Sequence, residues 1–233
     1  MNNNKKIFWC TNCISMSTRP RISFDEKGLC NACQWSNKKK KIDWDQRKQK
    51  LLEFLDKYRK NDGSYDCLVP VSGGKDGSYI AYNLKHKYNM NPLCVTIRPP
   101  LPSKLGDENL QKFADSGFSL ISVEPGYKAM QALNKVGFFE MGFPYYGWLL
   151  SIFTGPPQIA KKFGINLIFY SEDGEVEYGG SNKSEDTFLF SPDYIKEIYY
   201  EGGYEKVIKK TNISEKDLFF FSFPNDKEKK LKF

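Results

Sequence analysis

The sequence predicts an α/β fold, a parallel sheet with helices on both faces, preceded by a small zinc ribbon. Three observations carry this reading: short apolar runs alternate with helical stretches from about residue 66 onward, a glycine-rich turn follows the first run, and four cysteines near the N-terminus fall into two C-x2-C pairs. With 233 residues, 40% hydrophobic and 27% charged, the chain can form one sizeable core plus a small appendage. The expected boundaries are 1–41 for the ribbon with a basic linker and 42–233 for the main domain.

The ribbon rests on Cys10 with Cys13 and Cys30 with Cys33, the pairs separated by sixteen residues. Each C-x2-C turn aims two sulfurs at one ion, and two turns supply a closed tetrahedral set for structural zinc. Four thiolates leave no open position, so a catalytic zinc is not expected there. The stretch between the pairs shows a short alternating pattern of the strand type. The N-terminus lacks the apolar core of a signal peptide and no run of about 18 apolar residues exists, so a cytoplasmic chain without a membrane partner is expected. That compartment also disfavours disulfides.

The net charge of +7 is local. Residues 1–41 hold nine Lys/Arg against Asp25 and Glu26, whereas residues 42–233 carry 26 of each sign. This balance argues against an extended nucleic-acid face. The run Ser36 to Lys41 reads as a solvated linker, and a helix follows in which Leu51, Leu52, Leu55 and Tyr58 share one face.

Cys67 to Val71 reads as a strand buried on both faces, and Gly77 to Tyr88 as a helix. Between them lies Ser72-Gly73-Gly74-Lys75-Asp76-Gly77-Ser78. Strand, glycine turn and helix N-terminus in that order make an anion site, because backbone amides and the positive end of the helix dipole converge. The spacings of the Walker loop and of the dinucleotide turn are both absent. Further strands are expected at Pro92–Pro100, Ser119–Pro125 and Ile165–Asp173, with helices at about 107–116, 126–136 and 149–163. Arg98 then follows the second strand, and Glu172 and Asp173 a later one, all at carboxyl ends, where such sheets bind ligands.

Glu172, Asp173, Glu175 and Glu177 cluster within six residues around Gly174. They suit a magnesium ion, hydrogen bonds to sugar hydroxyls, or simply a solvated acidic turn. The aromatic run FFEMGFPYYGW suits a sugar-binding wall or core packing equally. Near the C-terminus, Tyr194 to Lys210 reads as helices broken at Gly202 and Gly203, and DLFFFSFP as a further strand.

The motif SGGKDGS resembles the pyrophosphate loop of the ATP pyrophosphatase superfamily, with its adenine-nucleotide-hydrolase type of fold. Together with CTNC…TRPRISFDEKGLCNAC and LIFYSEDGEVEYGG, it resembles the N-acetyl sugar amidotransferases, over about Phe8 to Phe223. That resemblance implies ATP and Mg2+ beside structural Zn2+, and conversion of an acetamido group on a bacterial surface sugar to an acetamidino group. AMP is transferred to the amide oxygen and ammonia then displaces it. Ser72, Gly73, Gly74, Gly77 and Ser78 would cradle pyrophosphate and Arg98 would assist ATP binding. Lys75 would offset the charge that develops as the α–β bond breaks, and Asp76 would help to hold magnesium. Ser171 stands where the family usually has Gly, and relative to the family the chain is expected to be C-terminally short. The sole histidine, His86, lies on a helix, and Cys67 and Cys94 lie in mid-strand, so no glutaminase dyad is available. A separate glutaminase subunit is the expected partner. The rival expectations are a tRNA-thiolating enzyme with a similar loop and a non-catalytic nucleotide-binding module.

Overall fold

The computed structural model describes residues 6–172, 174–185, 187–225 and 231–232. The chain divides into two compact units, Met1–Lys50 with Glu172–Phe190, and Leu51–Ser171 with Ser191–Phe233. The ribbon unit is therefore larger than a boundary at residue 41 implies, because a segment distant in sequence joins it.

In the first unit, isolated antiparallel bridges pair Trp9 with Met16 and Phe24 with Cys30. Helix α1 (Asn31–Lys39) starts at the second cysteine pair, with Cys30 at its N-cap, and buries Asn31, Cys33 and Trp35. Residues 36–39 are thus helical rather than linker. Lys38 and Lys39 occupy the last turn, where cations suit the negative end of the helix dipole. Helix α2 (Trp44–Asp56) carries the chain into the second unit.

The second unit is built on β1 (Cys67–Pro70), α3 (Lys75–Tyr82), β2 (Pro92–Ile97), α4 (Lys104–Asp115) and β3 (Ser119–Val123). The three strands are parallel and ordered β1-β2-β3, with Leu68 opposite Leu93 and Cys94 opposite Leu120. On the other side of β1, Leu68 pairs with Ile168, and Leu167 in turn pairs with Lys232. The expected strand at 165–173 is thus reduced to isolated bridges. They suffice to reverse the strand order beside β1, which puts the carboxyl end of β1 at a topological switch point.

Side chains alternate across the sheet. Cys67, Val69, Val71 and Cys94 join Ala81, Leu84, Leu110 and Phe113 in one core, with Leu55 from α2. Ile97, of opposite parity to Cys94, meets α6 (Tyr146–Lys162), where a Cβ on Gly155 would lie 2.7 Å from the Ile97 Cδ1. Helices therefore cover both faces. Helix α5 (Tyr127–Met141) packs on α6, and a Cβ on Gly137 would lie 2.2 Å from the Tyr146 Cβ.

Pro156 and Pro157 lie inside α6. Pro157 has no N–H for the Phe153 carbonyl four residues back, and the Tyr170 hydroxyl donates to that carbonyl instead (3.2 Å). Two short helices follow, α7 (Pro192–Ile198) and α8 (Tyr204–Lys209). The apolar run expected as a strand near residues 217–224 forms a 3-10 helix, Glu215–Phe221. It packs on α6, where Thr154 Oγ1 donates to the Phe220 carbonyl (2.7 Å) and Gln158 Nε2 to those of Phe219 (3.0 Å) and Ser222 (2.9 Å).

Candidate functional site

The sulfurs of Cys10, Cys13, Cys30 and Cys33 all lie within 4.8 Å of one another, with Cys10 to Cys33 at 3.9 Å and Cys13 to Cys30 at 3.6 Å. A tetrahedral ion with Zn–S bonds of about 2.3 Å requires sulfur separations of about 3.8 Å, so the four fit a zinc ion. None of the four is in a disulfide. The Cys10 sulfur accepts from the backbone amides of Cys30 (3.2 Å) and Asn12 (3.4 Å), and the Cys33 sulfur from Asn12 Nδ2 (3.3 Å). Burial opposes ionisation of Cys10, but those amides outweigh it and pull its thiol down to about 6. Despite the hydrogen bond from Asn12, burial and the neighbouring thiols push Cys33 up to about 12. All four sulfurs can ionise together only with a cation among them.

The acidic segment belongs to the same unit as the ribbon. Arg21 forks onto Glu175, with both guanidinium contacts at 3.1 Å, and Glu175 also accepts from the Ser181 amide (2.9 Å). Glu177 accepts from the Trp35 indole N–H (2.9 Å) and from Lys39. Partial burial works against both charges, yet these partners hold both carboxyls below the usual range. Two of the four expected magnesium or sugar ligands are thus engaged with the ribbon. Glu172 is exposed in this unit, and Asp173 lies outside the described residues.

The glycine turn sits at the carboxyl end of β1. Gly73 has φ +78, and a Cβ there would lie 2.9 Å from the Leu110 amide nitrogen and 3.0 Å from the Gly106 carbonyl oxygen. Only glycine lets the turn approach the backbone of α4 so closely. At Gly77 a Cβ would lie 2.9 Å from the Pro70 carbonyl oxygen, so α3 also starts hard against β1. The N-cap residue of α3 is Gly74, which has no side chain to accept from the first-turn amides. Ser78 Oγ donates to the Gly74 carbonyl (2.8 Å), and Gly74 N–H donates to Ser72 Oγ (3.4 Å). Lys75 and Asp76, both largely exposed, form an ion pair at 2.6 Å. The turn thus gathers amides, two hydroxyls, an ammonium and a carboxylate.

Arg98 follows β2 and binds Asp107 in the first turn of α4, with Glu124 at 3.9 Å. Its guanidinium is committed to carboxylates, which raise its pKa and lower that of Asp107. Beyond β2 and β3 lies a cavity of about 440 Å³ lined by Arg98, Pro99, Glu124, Tyr127, Gln131 and Asn134, among others. Arg98 and Asp107 link it to the start of α4, the same turn that Gly73 touches. The aromatic run divides: Tyr146 is fully buried, whereas Phe138 and Phe139 are 54% and 73% exposed.

Arg21, Asn31, Trp35, Lys38 and Lys39 were not singled out by sequence, since their partners lie about 140 to 150 residues away. The sequence signal nearest to these contacts is the excess of positive charge on residues 1–41.

No family model matches the chain. An uncharacterised protein of Methanocaldococcus jannaschii is 32% identical over 101 residues, which cover 43% of this chain and 36% of that protein. Among solved structures, the crystal structure of a predicted subunit of tRNA methyltransferase from Methanocaldococcus jannaschii overlaps 64% of this chain and 63% of its own, at 18% identity and a TM-score of 0.31. The chain thus spans little more than a third of the curated relative it matches, and the structural overlap carries no functional inference. No helix among the described residues is long and apolar enough to cross a membrane.

Proposed function

We propose that the chain is an ATP-dependent amidotransferase that converts an acetamido group, as on a bacterial surface sugar, into an acetamidino group, with release of AMP and pyrophosphate. The observation that supports it is the turn from Ser72 to Ser78, set at the strand-order reversal and pressed against α4 through Gly73. In this reading the amides of Gly73, Gly74 and the first turn of α3 bind the β and γ phosphates, and the hydroxyls of Ser72 and Ser78 donate to the same oxygens. Lys75 leaves Asp76 and follows the charge that grows on the departing pyrophosphate. Asp76 is then the turn's carboxylate for magnesium, which when bound offsets charge on phosphate oxygens. Arg98 would have to exchange Asp107 or Glu124 for a nucleotide, so its role is to shape the cavity beyond β2 more than to hold phosphate.

Ammonia comes from a separate glutaminase in this reading. The two cysteines outside the ribbon, Cys67 and Cys94, are fully buried, and burial pushes their thiols up, Cys94 to about 12. His86 instead packs against the rings of Tyr82 (4.7 Å) and Phe118 (6.0 Å). The same burial speaks against the tRNA-thiolating alternative, which needs a reactive cysteine to carry sulfur. Incubating zinc-loaded protein with ATP, magnesium, ammonium and candidate acetamido sugars tests the proposal by mass spectrometry. The expected product is lighter by about one mass unit, the difference between oxygen and NH, with AMP formed in equal amount. ATP binding without AMP, whatever sugar is supplied, would favour the non-catalytic module.

A further inference from the structure

We propose that the four-cysteine centre is the fastener of residues 174–185: with metal bound the ribbon holds this segment in place, and when metal is lost the segment comes loose while the sheet stays folded. The ribbon's small apolar cluster is made largely of its own ligands, since Cys10, Cys30 and Cys33 are the buried residues of that cluster, with Cys13, Ile22, Phe24 and Leu29 packed around them. Such a unit depends on the metal for its fold. The segment has little order of its own, with one helical turn, Gly174–Glu177, too short to persist alone.

What holds it is grafted onto the metal ligands. Asn31, between Cys30 and Cys33 and 4% exposed, donates through Nδ2 to the Gly180 carbonyl (2.9 Å) and to Asn182 Oδ1 (3.2 Å). Gly179, at φ +78, comes so near that a Cβ would lie 3.1 Å from Asn31 Oδ1 and 3.4 Å from the Ala32 Cβ. One and two turns further along α1, Trp35 and Lys39 bind Glu177, and Lys38 binds Glu185 (2.6 Å). Arg21, from the loop between the cysteine pairs, takes Glu175. These contacts all start from the ribbon, either on the helix that begins at Cys30 or in the loop between the cysteine pairs. The segment's flanks, Ser171 and Ser191, belong to the other unit, so a loosened segment remains a tethered loop.

Hydrogen exchange on the full chain tests this, comparing zinc-loaded protein, protein stripped by a chelator, and stripped protein given zinc again. Stripping should speed exchange in peptides from 174–185 by about tenfold or more, as in 10–33, with 67–70 and 92–97 unchanged, and zinc should reverse it. Retained protection at 174–185 overturns the proposal, and so does equal loss in the strands, which would make the metal a general stabiliser. A double variant, Arg21→Ala with Trp35→Phe, leaves every cysteine in place. Because coupling is reciprocal, it should keep one zinc per chain yet surrender it to a competing chelator about fivefold more readily. Unchanged zinc affinity together with unchanged exchange at 174–185 would refute the coupling.

Discussion

Replacing Gly73 by alanine separates two costs that the structure predicts will add. The first is conformational: at φ +78 a residue with a Cβ is strained by about 1 to 2 kcal/mol. The second is steric, because the new methyl would sit 2.9 Å from the Leu110 nitrogen and 3.0 Å from the Gly106 oxygen. Both are backbone atoms of α4 and cannot swing aside, so relief requires the turn or the helix to move, at about 1 to 3 kcal/mol. Gly63 provides the control. It has φ +81 and nothing within 4 Å of its would-be Cβ, so Gly63→Ala carries the first cost alone. Urea unfolding of both variants should therefore show Gly73→Ala less stable than Gly63→Ala by about 1 to 3 kcal/mol. Calorimetry with ATP and magnesium should show affinity reduced at least about tenfold in Gly73→Ala and unchanged in Gly63→Ala, since a displaced turn misaligns several amides together. Equal destabilisation by the two substitutions would refute the claim that close approach to α4 sets the turn's shape.

The remaining predictions concern other parts of the chain. Lys75→Ala and Asp76→Ala should each lower AMP formation by about a hundredfold or more while leaving the free energy of unfolding within about 0.5 kcal/mol of wild type, since both side chains are exposed. Tyr170→Phe should cost about 1 to 3 kcal/mol in urea unfolding, because the Phe153 carbonyl loses the donor that stands in for the missing amide of Pro157. Glu175 and Glu177 are held below the usual carboxylate range, so their contribution to docking of the segment is present above about pH 4.3 and lost as pH falls through their folded values. Protection from exchange at 174–185, relative to the intrinsic rate at each pH, should accordingly fall more steeply on acidification in wild type than in the Glu175→Gln, Glu177→Gln double variant. The purified chain should use ammonium and fail with glutamine, read as AMP release.

What could be read from the sequence was the part fixed by local pattern. Cys67–Val71 and Pro92–Ile97 are near-continuous apolar runs, the second interrupted by Thr96, because the sheet is covered on both faces, and the glycines of the turn advertise a close approach that the structure traces to α4. The cysteine spacing likewise stated its geometry in advance. Other features depended on partners far along the chain. Glu175 and Glu177 look like a solvated or metal-binding cluster until Arg21, Trp35 and Lys39 are brought to them. Lys38 and Lys39 read as linker for the same reason. The run Leu218–Phe221 has no period that separates a strand from a helix, and its fate was decided by carbonyl groups that meet Thr154 and Gln158 on α6.

The claim on which the enzymatic reading stands is that the turn after β1 grips the terminal phosphates of ATP. Titrating ATP with magnesium into zinc-loaded chain, by calorimetry, tests it most directly. Saturable uptake of one nucleotide per chain, abolished by adding pyrophosphate in excess, is the predicted result. No heat of binding from folded protein with its zinc in place would contradict it.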